Sequence, residues 1–148
     1  MKQLIIKLPK DSIFTEVSLA SSYAGVKSCV EDCDYSRIAT VTEDSELLER
    51  FWADACGEVA SVLKEFTVDT VFTEEGFELN LELSSAYESA MTPSVERDLF
   101  SSVAAGVTAR WFRFTLPDKA EEWEIRSDEL LTRAHRKLCS RRKPIRVK

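Results

Sequence analysis

Histidine, glycine and proline are scarce in this chain, and each scarcity removes a class of function. A single histidine, His135, leaves no pair of imidazoles for acid–base work and no His-rich metal cluster. Four glycines and four prolines, all scattered, exclude a glycine-rich phosphate cradle and a proline-rich linker. No apolar run reaches the ~18–20 residues of a membrane span, and the segment after Met1 has no signal-peptide core. Nucleotide-binding loops, the nucleophile elbow, the HExxH helix and the EF-hand loop are all missing. The expectation is a soluble protein made in the cytoplasm.

What is present fits one globular domain over residues 1–148, with 44% apolar and 31% charged residues. The net charge of −6 hides a division. Residues 133–148 hold eight Lys and Arg and no acid, so the other 132 residues hold 12 bases against 26 acids, a balance of −14. An acidic body repels phosphates, which counts against general nucleic-acid binding. A basic tail on such a body suits docking onto an acidic surface, including the body of the next copy; the plainer alternative is a solvated helix end.

The hydrophobic pattern sets out the elements. Lys2–Leu8 reads as a strand ended by Pro9. Alternation of Ile13, Thr15, Val17 and Leu19 allows a second strand, although Ser12 could equally cap a helical turn. Residues 20–41 show no period and read as an irregular functional arm or as a segment ordered only by a partner, being longer than compact domains usually leave unstructured. Leu47, Leu48, Phe51, Trp52, Ala55, Val59, Val62, Leu63 and Phe66 form one stripe of a helix of about six turns, with Thr42 as its cap. Phe66–Phe72 and Phe77–Leu83 alternate around Thr73-Glu74-Glu75-Gly76, a hairpin expected to lie on that helix. Thr92 and Pro93 open a second helix with the stripe Val95, Leu99, Val103, Val107, Trp111 and Phe114. Ala104-Ala105-Gly106 in its middle lets another backbone come close. Leu116-Pro117 ends it, and Asp118 is expected to cap a third helix carrying Trp123, Ser127, Leu130, Leu131, Ala134 and Leu138. The fold class is therefore α+β: three amphipathic helices packed with a hairpin and a short N-terminal strand, plus the arm and a basic tail at 141–148.

Candidate chemistry is sparse. Cys29 and Cys33 with His135 and Cys139 are the nearest approach to a zinc set, the latter two being one helical turn apart. The two pairs lie at opposite ends of the chain and the spacing from 29 to 33 is looser than a zinc knuckle. Packing or surface roles are expected instead, and no metal or cofactor. Cys56 falls on an apolar helix face and is expected in the core, where a thiol acts as a small hydrophobe; Cys139 is expected in or beside a core stripe. Carboxylates such as Asp54, Glu58, Glu121, Glu122 and Glu124 lie on polar faces, where nothing separates their pKa values into an acid and a base. The reading is non-enzymatic. Most aromatics sit on core stripes; Phe112 and Arg113 fall off theirs, and Tyr23 and Tyr35 sit in the arm. These four are the better contact candidates, since Tyr and Arg dominate interface energy once desolvated.

Glu16-Val17, Ser21-Ser22-Tyr23-Ala24-Gly25-Val26-Lys27, Tyr35-Ser36-Arg37-Ile38, Leu48-Glu49-Arg50-Phe51-Trp52, Leu79-Asn80-Leu81-Glu82-Leu83-Ser84 and Arg141-Arg142-Lys143-Pro144 together, in a helix–hairpin–helix–helix order, resemble a family of small proteins encoded by tailed phages and prophages of gut bacteria. The layout is similar to head–tail connector (neck or adaptor) proteins, and Cys29 and Cys33 are not part of that pattern. The resemblance implies a virion structural protein, assembled in the host cytoplasm as a ring of identical copies between portal and tail. Its partners would be neighbouring copies, the portal and tail proteins, with no membrane, and DNA would pass without sequence-specific binding. Tyr23, Tyr35, Arg141, Arg142, Lys143, Arg146 and Lys148 are the candidate partner-binding residues. A tail-completion or terminator protein is the neighbouring alternative, and a nucleic-acid-binding accessory factor using the basic tail is an alternative of another class.

Overall fold

A computed structural model describes residues 1–28 and 44–141. The fold is α+β. Strand β1 (Lys2–Pro9) runs directly into helix α1 (Lys10–Ser28); α2 (Ser45–Val62), β2 (Thr67–Phe72) and β3 (Gly76–Leu83) follow. A 3-10 turn (Ser89–Met91) then leads into α3 (Thr92–Thr115) and α4 (Pro117–Leu138). The three strands form an antiparallel sheet in the order β1-β3-β2.

Helix α1 replaces both the possible second strand and the first part of the expected arm. Ile13 and Val17 are fully buried while Thr15 and Leu19 are exposed. Residues four apart share a face in a helix and in a strand alike, so Ile13 and Val17 satisfied both periods. Phe14 packs edge-on against Trp52 of α2, with ring centroids 6.1 Å apart. The rest of the arm, including Tyr35, Cys29 and Cys33, lies outside the described residues, as does Thr42.

Helix α2 buries Leu48, Phe51, Trp52, Ala55, Cys56 and Val59 as its stripe requires, but stops at Val62, four residues short of Phe66. The N–H of Phe66 closes a turn on the carbonyl of Leu63, and Val62 is left exposed. The hairpin forms at Gly76, where backbone approaches backbone: a Cβ added there would lie 2.0 Å from the carbonyl oxygen of Leu8. Its sheet comes nearest to α1 and α3 rather than to α2.

Two expected caps do other work. Thr92 lies inside α3, because the preceding 3-10 turn, capped by the Glu88 side chain, leads straight into that helix. The Thr92 hydroxyl instead meets the Tyr87 hydroxyl at 3.1 Å. Asp118 lies in the first turn of α4, since Pro117 holds the preceding Leu116 extended and takes the first helical position itself.

Helix α3 is the central element, buried on most of its circumference from Val95 to Phe112. One core cluster draws on all four helices, β1 and β3, whereas β2 contributes no buried side chain. Where α3 crosses α4 the small residues bring the backbones together. Ser102 and Ser127 each donate to the other's carbonyl at 2.8 Å, and a Cβ on Gly106 would stand 3.2 Å from the Ser127 hydroxyl. One turn from this, the buried Asp98 carboxylate receives the Lys137 ammonium at 2.6 Å. The buried polar side chains of the α3–α4 seam are thus all paired, which is the condition for a buried polar network to hold a fold.

Candidate interaction surface

The structure separates the candidate contact residues. Tyr23, 64% exposed on α1, lines a groove of about 570 Å³ between α1 and α4, with Lys119, Trp123 and Arg126 on the opposite wall. The Arg126 guanidinium stands over the Trp123 ring, 5.2 Å from its centroid. Arg141 lies beyond the far end of α4, whose last residue Leu138 is about 22 Å along the axis from Trp123 at 1.5 Å per residue. It is exposed, and its backbone bridges that of Tyr87. The root of the basic tail is therefore fixed to its own body. Arg142, Lys143, Arg146 and Lys148 lie outside the described residues.

Two aromatic assignments reverse. Phe112 is fully buried, set edge-on to Trp123 at 6.1 Å. Phe114, placed on the core stripe by its spacing, is 71% exposed and stacks on Phe51 at the surface, with centroids 6.0 Å apart. A helix buried nearly all round has no single stripe, so spacing cannot say which of two neighbours faces solvent. Arg113 is exposed and pairs with Glu124.

Sequence reasoning missed the free edge of the sheet. Val68, Val71 and Phe72 of β2 are all exposed, and Phe72 rests only partly on Phe77, at 4.7 Å between centroids. The N–H of Thr70 turns away from β3 and is held by its neighbour's carboxylate, Asp69 Oδ1, at 2.9 Å. The signal was in the hairpin itself, whose first strand carries apolar residues at both even and odd positions.

The ionisable groups offer no reaction centre among the described residues. Cys56 is buried, and burial pushes its thiol up to about 12, so it stays protonated and inert. Cys139 is exposed rather than packed, at the C-cap just past Leu138, the last buried residue of α4. The His135 imidazole is engaged by Glu65 and packs on Phe66. Glu58 pairs with Arg110 at 3.1 Å. Asp128 has its carboxyl raised, first by burial and then by Glu58 and Glu124, against the opposing pull of Arg110. No group of three or more metal-ligating side chains occurs among the described residues, nor any helix long and apolar enough to cross a membrane.

No protein family, curated protein or solved structure matches the chain.

Proposed function

We propose that this chain is a non-enzymatic structural protein of the head–tail connector of a tailed phage, working as one copy in a ring between portal and tail. The observation that carries the reading is the division of charge: residues 1–132 balance at −14, while residues 133–148 hold eight bases and no acid, five of those bases in the tail at 141–148. A body and tail of opposite sign on one chain favour head-to-tail contact between copies, and a heterologous contact closes into a ring when its rotation fits. Several exposed apolar side chains, Leu19 and Tyr23 on α1 and Val68, Val71 and Phe72 on β2, add surface that gains from being covered.

Native mass spectrometry and negative-stain imaging test this, with the protein alone and mixed with the portal protein of the same genome. Rings, or decoration of the portal lost on removing residues 141–148, are the expected result. A monomer that ignores the portal overturns the connector reading. Salt-sensitive DNA binding lost with the same deletion would transfer the tail to the nucleic-acid reading.

A further inference from the structure

The sheet has two outer strands, defended unequally against pairing: β2 has an irregularity between Thr67 and Asp69 and the charge of Asp69, but runs in regular register with β3 from Asp69 to Phe72. Strand β1 carries Lys2, Lys7 and Pro9, residues that natural sheets place on edges to block the addition of another strand. Strand β2, Thr-Val-Asp-Thr-Val-Phe, has no lysine, arginine, proline or glycine. It also gives nothing to the core. What it offers is a row of outward backbone groups beside exposed Val68, Val71 and Phe72, within an acidic surround. Residues 64–75 hold Glu65, Asp69, Glu74 and Glu75 against one base, Lys64.

We propose that the free edge of β2 receives residues Pro144–Lys148 of a second copy as a fourth strand, antiparallel to β2. This deepens the connector reading and rests on it. The sequence Pro-Ile-Arg-Val-Lys alternates apolar and basic residues, the pattern of a strand with one dry face and one charged face. Ile145 and Val147 join Thr70 and Phe72, which pair with Leu79 and Phe77 on the inner face of the sheet. Arg146 and Lys148 join Asp69 and Val71 on the outer face, where β3 presents Asn80 and Glu78. Pro144, at the first position of the added strand, is where a missing N–H is tolerated.

Asp69 has a part in the exchange. In the free protein its carboxylate occupies the Thr70 N–H; the incoming strand takes that N–H with a carbonyl and gives Asp69 a cation in return. Polarity selects a second copy over the chain's own tail. Arg141 is bridged to Tyr87, just past the end of β3, and His135 packs on Phe66, just before β2. A chain's own tail would therefore set out from the start of β2 and run parallel to it, the weaker pairing and one absent from this sheet. Residues 142–148, extended, cover about 23 Å, enough for the six residues of β2.

The test is sedimentation velocity of the full chain over a range of concentrations, comparing wild type with Thr70→Pro and with the double variant Ile145→Asp, Val147→Asp. Because the Thr70 N–H faces away from β3, proline there removes an edge donor and spares the internal ladder. The tail variant changes no residue of the described core cluster, so it reads the interface even if Thr70→Pro fails to fold. Both variants are expected to weaken assembly at least tenfold, and Asp69→Lys to weaken it in a manner partly restored by Lys148→Glu. Assembly that persists in the tail variant, or in a folded Thr70→Pro, overturns strand addition and leaves the ring reading standing. A wild type that stays monomeric alone and with portal overturns both.

Discussion

The α3–α4 seam and the β2 edge are opposite solutions to the same requirement that polar groups find partners. In the seam every demand is met inside the chain: Ser102 and Ser127 exchange hydrogen bonds, Lys137 neutralises Asp98, and Gly106 leaves room for the crossing. At the edge alternate backbone groups of β2 point outward, and one of them is held only by an adjacent side chain. The seam makes the fold, while the edge is left over from it. If the edge receives a second copy as proposed, residues of the fold and residues of assembly should be separable by mutation.

Substitutions in the seam should have the largest effect on stability. Asp98→Ala leaves the Lys137 ammonium without its buried counter-charge, and breaking a buried pair costs about 3–5 kcal/mol. Denaturant unfolding should show a loss of that order with an unchanged slope. Gly76→Ala comes next, since its methyl meets the Leu8 carbonyl and the hairpin must move away from β1. A cost of about 2–3 kcal/mol is expected, in the range of overpacked cores, read as a lowered melting temperature. Were either change harmless, the division between fold and assembly would lose one of its sides.

A third prediction concerns pH and the buried thiol. The Cys56 pKa is raised in the folded state from 9.0 to about 12. Above the ordinary value the unfolded chain gives up its proton while the folded chain keeps it. This contribution is therefore complete below pH 9 and is lost as pH rises toward 12. Linkage puts the loss near ~1.4 kcal/mol at pH 10, and Cys56→Ala should abolish that component of the slope. Thiol titration of the native protein should find Cys139 reactive and Cys56 silent until unfolding. The smallest stability effect belongs to the edge: Val71→Lys should change it by less than about 0.5 kcal/mol, as exposed substitutions do, yet weaken assembly.

Legibility from sequence followed how one-sided each element is. Helices α2 and α4 have one buried face and one wet face, so Leu48 to Val59 and Ser127 to Leu138 stood out by spacing. Helix α1 was ambiguous because its core residues Ile13 and Val17 fit both periods. Helix α3 misled at its end because it is buried almost all round, which put Phe112 inside and Phe114 outside. The Asp98–Lys137 pair joins residues far apart in the chain and leaves no local trace. Of the candidate contact residues, Tyr23 and Arg141 are both at the surface, on different parts of it. The β2 edge stayed hidden because alternation reveals a strand without saying whether a neighbour covers its outer side.

Hydrogen exchange at the outward amides of β2 tests the central claim most directly. Thr70 is the reporter, since its N–H makes no bond to β3. Recorded for the full chain at low and high protein concentration, its exchange should slow markedly as concentration rises, while amides of the α3–α4 seam stay equally protected throughout. Exchange at Thr70 that is equally fast at both concentrations, in a sample that nonetheless assembles, would place the contact elsewhere and contradict the account.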